Sequence, residues 1–200
     1  MTKHRSADER YVQILKAAKI CFLEKGYFAT RVDEIARQAG LSKGGVYFHF
    51  KSKREIFLAL VEEEYSRAMT VIDSVTMGEG DALEKLLTLA DHFTRVFETG
   101  DEPKFLVVIG EMALRDPEVR DQLLAVQQSY LDKISELVEW GVREGHLRED
   151  LDTQMVALIL KSQLDGVQVA FAAGTPIDLE RLLPVALDMF MRALVAPPRE

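Results

Sequence analysis

The chain has 200 residues, of which 48% are apolar, and it contains 12 glycines, 6 prolines and 1 cysteine. This length suits one large domain or a small domain followed by a larger one, and a lone cysteine excludes an internal disulfide. The net charge of −8 is uneven, because residues 1–55 carry 12 Lys/Arg against 6 Asp/Glu, a balance of +6, which leaves −14 for residues 56–200. A basic amino-terminal segment on an acidic body favours a DNA contact made through one end only.

Several classes of protein are not indicated. The amino terminus is polar and lacks the apolar segment of a signal peptide, and the longest apolar runs, 105–109 and 155–160, are too short to span a bilayer. We therefore predict a cytoplasmic protein without a membrane partner. The sequence has no GxSxG, HExxH, CxxC or P-loop pattern and its four histidines are far apart, so we predict no enzyme, cofactor or metal site.

Apolar residues at helical spacing predict an all-α fold of about nine helices, the first from about Ala7 to Lys25. Two short helices follow within residues 30–53. Gly40 supplies the left-handed residue that ends the first of these, and the Ser42 hydroxyl is placed to cap the second. Two helices joined by so tight a turn indicate a helix-turn-helix, whose second helix enters the major groove of DNA.

The second short helix carries small, basic and aromatic residues. Lys43 can reach a phosphate or a guanine edge, while Gly44 and Gly45 let the helix backbone approach the duplex. Tyr47 and His49 end in hydrogen-bonding groups suited to phosphate oxygens. Three further cations continue the positive edge: Lys51, Lys53 and Arg54. Three apolar residues are predicted to anchor the helix from behind: Val46, Phe48 and Phe50.

These residues carry a resemblance to the DNA-binding domain of the TetR family of transcriptional regulators. The matching segments are EKGY at 24–27, AT at 29–30, VDEIA at 32–36, AGLSKG at 39–44, VYFHF at 46–50 and SK at 52–53. The resemblance implies phosphate and base contacts by Thr30, Ser42, Lys43, Tyr47, His49 and Lys53. Two positions depart from the family pattern. Gly45 stands where family members often have a small side chain. Arg31 stands where they often have a small polar residue, so we expect Arg31 to add a DNA contact.

The remaining periodicity predicts six more helices. The fourth follows the cap residue Ser52 and ends before Gly78, and the later ones start near Asp81, Pro103, Pro117, Asp152 and after Pro176. The eighth is apolar over more than half its circumference, which implies packing on two partners. Its predicted polar side consists of Ala157, Lys161, Asp165, Gln168 and Ala172.

We therefore predict an N-terminal three-helix helix-turn-helix DNA-binding domain over residues 1–51 and a C-terminal helical ligand-binding and dimerisation domain over residues 52–200. The last two helices, paired with the same two of a second copy, would form a four-helix bundle. The resemblance implies the same homodimer. A two-fold dimer reads two half-sites of a near-palindromic operator, and repression is the family's usual mode.

The resemblance also implies a small-molecule pocket enclosed by the middle helices. Its predicted lining is mostly apolar: Phe93, Phe97, Phe105, Val108, Ile109, Met112, Gln127, Tyr130, Ile134, Gln163 and Leu164. Gln127 and Gln163 are polar groups on apolar faces, which need partners. No Lys or Arg is predicted on the inward faces, so we expect a lipophilic effector that is neutral or cationic. The alternatives are a DNA-binding architectural protein without an effector pocket and an all-α enzyme.

Overall fold

The computed structural model describes residues 7–99 and 101–196, without the side chains of residues 93, 94 and 96–99. Within the described ranges the chain forms nine helices, which confirms the predicted all-α fold. The helices are α1 Ala7–Ala29, α2 Val32–Gln38, α3 Lys43–His49, α4 Lys53–Met77, α5 Ala82–Thr99, α6 Asp101–Ala113, α7 Pro117–Glu144, α8 Thr153–Ala172 and α9 Leu179–Leu194.

Two glycines in the left-handed region shape the first three helices. Gly26, with φ of 75°, interrupts α1 one residue after its predicted end. Gly40, with φ of 63°, follows α2, and the Leu41 amide donates to the Ala36 carbonyl at 2.8 Å. This bond satisfies a carbonyl at the helix end and turns the chain sharply.

Short polar side chains cap four of the following helices, and two of these caps, Ser42 and Ser52, were predicted. The Ser42 hydroxyl accepts from the Gly45 amide at 3.1 Å at the start of α3. The Ser52 hydroxyl accepts from the Glu55 amide at 3.1 Å at the start of α4. Two aspartates cap the last two helices in the same way: Asp152 at α8 and Asp178 at α9. These local bonds explain why the helix starts were readable from the sequence.

The chain divides into two compact units. The described residues of unit 1 are 7–67 and 105–121, and those of unit 2 are 68–99, 101–104 and 122–196. Most of α6 therefore packs with the amino-terminal helices in unit 1. These units describe packing, and the end of the DNA-binding domain at residue 51 remains a prediction.

The core of unit 1 is aromatic. The Phe57 ring lies with its centroid 5.5 Å from that of Phe22 and 6.0 Å from that of Phe105. Phe105, Ile109 and Met112 are only 2%, 3% and 3% exposed. These three residues were predicted to line an effector pocket, but they are core residues of unit 1, because periodicity marks a buried face without showing what it packs against.

Unit 2 has a core around α7. One cluster of buried residues contains Ile72, Leu89, Tyr130 and Leu137, and another contains Ile134, Val138, Leu147 and Ala157. The end of α9 is tied to the loop after α7, where Leu147 and Val195 form an isolated antiparallel bridge. The Arg148 amide donates to the Leu194 carbonyl at 3.0 Å beside it.

Helix α8 turns part of its predicted polar side into unit 2, while part of its broad apolar arc faces outward. Its buried residues are Ala157 and Lys161, at 0% and 8% exposed, and both belong to the predicted polar side. The outward face is apolar, with Met155 48%, Leu158 43%, Ile159 54% and Val169 49% exposed.

By length and composition alone, α8 is also apolar enough to cross a membrane, with 11% of the tested window buried. The prediction that no segment could span a bilayer considered only uninterrupted apolar runs and missed this helix. Helices of soluble proteins pass the same test, so this is weak evidence for a membrane segment.

Candidate DNA-binding surface and effector cavity

The face of α3 opposite the core forms the candidate DNA-binding surface. Val46 is 0% exposed and holds the helix from behind, whereas Tyr47 is 43% exposed. Ser42, Lys43 and Gly44 are also exposed, and Gly45 and His49 are half-buried. The structure thus brings the predicted contact residues around α3 onto one accessible surface.

Phe48 does not anchor α3. Its side chain is 83% exposed, whereas the other two predicted anchors, Val46 and Phe50, are 0% and 2% exposed. The Phe48 ring contacts the His49 ring edge to face, with centroids 5.2 Å apart. The prediction was wrong because one turn of helix cannot place positions 46, 48 and 50 on the same side.

Lys43 is paired with a carboxylate of the preceding helix. Its ammonium lies 2.8 Å from an Asp33 carboxylate oxygen, and the two side chains are 57% and 55% exposed. The hydrogen bond to Asp33 raises the pKa of Lys43. An exposed pair of this kind is weak, so Lys43 can exchange Asp33 for a phosphate oxygen at little cost.

Two predicted DNA contacts have structural roles. The Thr30 side chain is 1% exposed, and its hydroxyl donates to the Gly26 carbonyl at 2.8 Å. The Lys53 ammonium donates to the carbonyls of Tyr27 and Thr30 at 2.7 and 2.8 Å, and burial lowers its pKa. Both side chains close the connection between α1 and α2, so in this conformation neither is free to bind a phosphate.

The other cations near α3 differ in whether their charge is free to contact DNA. Arg31 and Lys51 are exposed. Arg54 instead donates to Asp116 at 2.6 and 2.9 Å and to Glu118 at 2.6 Å. The guanidinium lowers the pKa of Asp116, which also caps the start of α7 by accepting from the Glu118 amide at 3.0 Å. Arg54 therefore stabilises unit 1 and adds little free positive charge beside α3.

Unit 2 contains a partly open apolar cavity of about 210 Å³ between α5, α7, α8 and α9, and the Gln163 and Leu187 side chains in its lining are exposed. Three predicted pocket residues line it: Ile134, Gln163 and Leu164. Gln163 is the one side chain in the lining with hydrogen-bonding groups. The lining also includes the inward face of α9, with Leu182, Leu183, Ala186 and Phe190. These residues were visible as an apolar stripe, which the sequence analysis assigned to dimerisation alone.

The other predicted pocket residues do not line this cavity. Tyr130 lies in the unit 2 core and is 7% exposed, and burial is the main cause that raises the pKa of its hydroxyl. Val108 and Gln127 are half-buried elsewhere. The side chains of Phe93 and Phe97 lie outside the described residues.

Two lysines are buried in unit 2, against the prediction that inward faces carry no cation. Lys161, 8% exposed, pairs with Asp165 and lies 5.3 Å from the Tyr130 ring centroid. Lys85, 6% exposed, donates to a backbone carbonyl at 2.7 Å and lies 4.6 Å from the Trp140 ring centroid. The long aliphatic part of a lysine side chain can pack against apolar residues while its ammonium keeps a carboxylate, carbonyl or aromatic partner.

Glu64 falls within the apolar face of the fourth helix, where the sequence predicts a salt bridge or a contact with a cationic ligand, and it is paired within unit 1. Its carboxylate lies 2.9 Å from the Lys19 ammonium and 3.4 Å from the Arg67 guanidinium. The salt bridge is therefore present, and the carboxylate is already neutralised by two cations of its own unit.

A capped helix-turn-helix on a basic segment, followed by helices around an apolar cavity, defines a ligand-responsive DNA-binding transcriptional regulator. The family comparison agrees with this class. Residues 14–60 match the model described as "Bacterial regulatory proteins, tetR family", and residues 82–184 match "Tetracyclin repressor-like, C-terminal domain". The chain belongs to the TetR family and is a transcriptional regulator, not an enzyme.

Similar proteins include several regulators of this family. The chain is 29% identical over 175 residues to the HTH-type transcriptional repressor AcnR of Corynebacterium diphtheriae, covering 87% of each chain. It resembles the structure of SmeT, the repressor of the Stenotrophomonas maltophilia multidrug efflux pump SmeDEF, with 30% identity, a TM-score of 0.72 and coverage of 92% and 90%. It also resembles FadR from Bacillus subtilis in complex with stearoyl-CoA, with 25% identity, a TM-score of 0.72 and coverage of 90% and 97%.

Proposed function

We propose that this regulator is a repressor that binds a near-palindromic operator as a homodimer and is released by a lipophilic effector. Within each protomer, α3 is the recognition helix, with Lys43, Tyr47 and His49 contacting the duplex and Arg31 and Lys51 beside them. Because its target is chromosomal DNA, we place the protein in the cytoplasm. The main support for the homodimer is the exposed apolar face of α8.

This face is continuous along the helix. Ser162 and Gly166 are exposed between the large residues that flank them, and a methyl group added at Gly166 would meet no atom within 4 Å. On α9, Val185 and Met189 are 59% and 65% exposed. An apolar face of this length indicates a protein interface, and small residues at its centre allow close approach of a second helix. Two such helices from each protomer would form a four-helix bundle.

The cavity in unit 2 is the proposed effector site. Its lining is aliphatic except for the Phe190 ring and the Gln163 amide, so a ligand would gain affinity mainly by burying apolar surface. The similar FadR from Bacillus subtilis was solved with stearoyl-CoA, whose acyl chain is apolar. This likeness supports a lipophilic effector, and the cavity lining contains no charged side chain that would fix the charge of its head group.

Native mass spectrometry of the freshly purified full chain tests subunit number and co-purified ligand together. We expect the mass of a dimer. Fluorescence anisotropy on an operator obtained by selection from random duplexes then compares decanol, decanoate and decyltrimethylammonium, which share an alkyl chain and differ in charge. At least one should weaken DNA binding, and the ranking gives the preferred head group. A monomer, or unchanged DNA affinity with every probe, would contradict the proposal.

A cavity-filling variant assigns the effect to the cavity. Leu183 lines the cavity, so Leu183→Trp should keep DNA binding and lose the response to the probe. Met77→Trp is the matched control, because Met77 is 82% exposed outside the cavity. An effector response that survives in Leu183→Trp would place the effector site elsewhere.

A further inference from the structure

We propose that Phe48 reads the C5 methyl group of a thymine in each half-site of the operator. This inference rests on the proposed role of α3 as the recognition helix. It goes beyond that role, because it names a residue that the sequence assigned to the core and the base feature that it recognises.

The Phe48 side chain is exposed to solvent. Phe48 is 83% exposed, the highest value among the large apolar side chains of the described residues. An apolar ring of this size gains free energy when it leaves water. Its aromatic neighbour His49 contacts it edge to face and leaves most of the ring surface uncovered. The ring therefore remains free to bury against a ligand of α3.

The Phe48 ring lies on the same side of α3 as Gly44, away from the core. At about 100° per residue, Phe48 lies about 40° from Gly44 around the axis of α3 and about 160° from the buried Val46. A methyl group added at Gly44 would meet only the Ser42 hydroxyl, at 3.9 Å. The surface between Ser42 and Phe48 is thus open, and a base edge that approaches Gly44 would meet the Phe48 ring at the end of the opening.

The chemistry of the ring selects the target. Phenylalanine has no donor or acceptor, so it cannot hydrogen-bond to a phosphate oxygen or to a polar base edge. In the major groove the apolar group on a base edge is the C5 methyl of thymine. The glycines at 44 and 45 supply no side-chain hydrogen bonds at the centre of this surface. Apolar contact by Phe48 therefore carries sequence information that the side chains of the two glycines cannot supply.

A double-mutant cycle between protein and DNA tests the contact. The full chain selects its operator from random duplexes, and each thymine of that operator is replaced in turn by deoxyuridine, which removes only the methyl group. With the wild type, replacement at one thymine per half-site should weaken binding about fourfold, the effect of burying roughly one methyl group. With Phe48→Ala the same replacement should have no effect.

Two controls accompany the cycle. Met77→Ala removes a side chain of similar exposure, 82%, outside α3, and it should respond to deoxyuridine as the wild type does. Thermal unfolding should be unchanged in Phe48→Ala, because an exposed ring contributes little to the folded state.

Three outcomes would overturn the inference in distinguishable ways. Wild-type binding unaffected by deoxyuridine at every position would exclude methyl recognition. An equal deoxyuridine penalty in the wild type and Phe48→Ala would assign the methyl contact to another residue. Absence of salt-sensitive duplex binding by the wild type would instead contradict the proposed role of α3 itself.

Discussion

The ammonium of Lys53 donates to the backbone carbonyl of Tyr27 at 2.7 Å and lies 4.3 Å from the centroid of the Tyr27 ring. The same ammonium donates to the Thr30 carbonyl. One side chain at the start of α4 thereby satisfies carbonyls that follow the break in α1. The family resemblance implies that Lys53 contacts DNA, but in this structure its ammonium holds the connection between α1 and α2.

Lys53→Met should therefore destabilise the protein, because it leaves carbonyls without their charged donor. We expect a loss of about 1–3 kcal/mol in the free energy of unfolding, the usual cost of unsatisfied buried polar groups. Urea unfolding followed by circular dichroism measures it. Lys51→Met is the matched control, since Lys51 is exposed and should affect DNA binding more than stability. Equal stability of the two variants would contradict the structural role of Lys53.

The Lys43–Asp33 pair predicts opposite effects of two substitutions on DNA binding. Lys43→Gln should weaken binding to all duplexes and reduce the slope of log affinity against log salt by about 0.9 for each protomer, or about 1.8 for the dimer, because each protomer loses one phosphate contact. Asp33→Asn should strengthen binding, because it releases Lys43 and removes a negative charge beside the phosphates. Anisotropy titrations at several salt concentrations measure both. A loss in Lys43→Gln confined to the selected operator would mean that Lys43 reads a base.

Asp116 predicts a dependence of stability on acid pH. Because Arg54 lowers the pKa of Asp116 in the folded chain, its stabilising effect is complete above the unfolded pKa and is lost as the pH falls through the folded pKa. Between about pH 5 and pH 3, the wild type should lose more free energy of unfolding than Asp116→Asn. Asp121→Asn, an exposed acid of the same helix region, should behave as the wild type. Parallel pH profiles for wild type and Asp116→Asn would rule out this contribution.

The exposed face of α8 predicts the oligomeric state of a charge-bearing variant. Ile159, 54% exposed, lies within this face, and Ile159→Lys would bury a cation in the proposed dimer interface. We expect a folded monomer by size exclusion with light scattering, with weakened operator binding. Leu114→Lys introduces the same charge at a residue that is 82% exposed outside α8, and it should remain dimeric. A dimeric Ile159→Lys would place the interface on another surface.

Close packing at Gly141 predicts a stability effect in α7. A methyl group added there would lie 2.8 Å from Cδ1 of Leu147, whose side chain is 2% exposed. Gly141→Ala should therefore cost about 1–3 kcal/mol of unfolding free energy through overpacking. At Gly110 in α6 a methyl group would meet nothing within 4 Å, so Gly110→Ala should instead stabilise the helix. Thermal unfolding of the two variants compares the effects, and a stabilised Gly141→Ala would contradict the clash.

Within the described residues, the sequence by itself determined the order of the helices and most of their starts. Ser42, Ser52 and Asp152 cap their helices where the sequence placed them, and Gly40 turns the chain where a left-handed residue was predicted. These features depend on groups within a few residues of one another, so a single sequence contains all that decides them.

The tertiary structure decided which face of each helix meets the core. Lys161 faces inward and Ile159 outward. The breadth of the apolar arc implied two partners, but it did not show which part of the arc is buried in its own subunit and which is kept for a second one. The family resemblance implies a DNA contact for Lys53, and the sequence predicts an anchor at Phe48. Their roles depend on carbonyls and helix faces that only the folded chain brings beside them or turns away, and that spacing along the sequence does not encode.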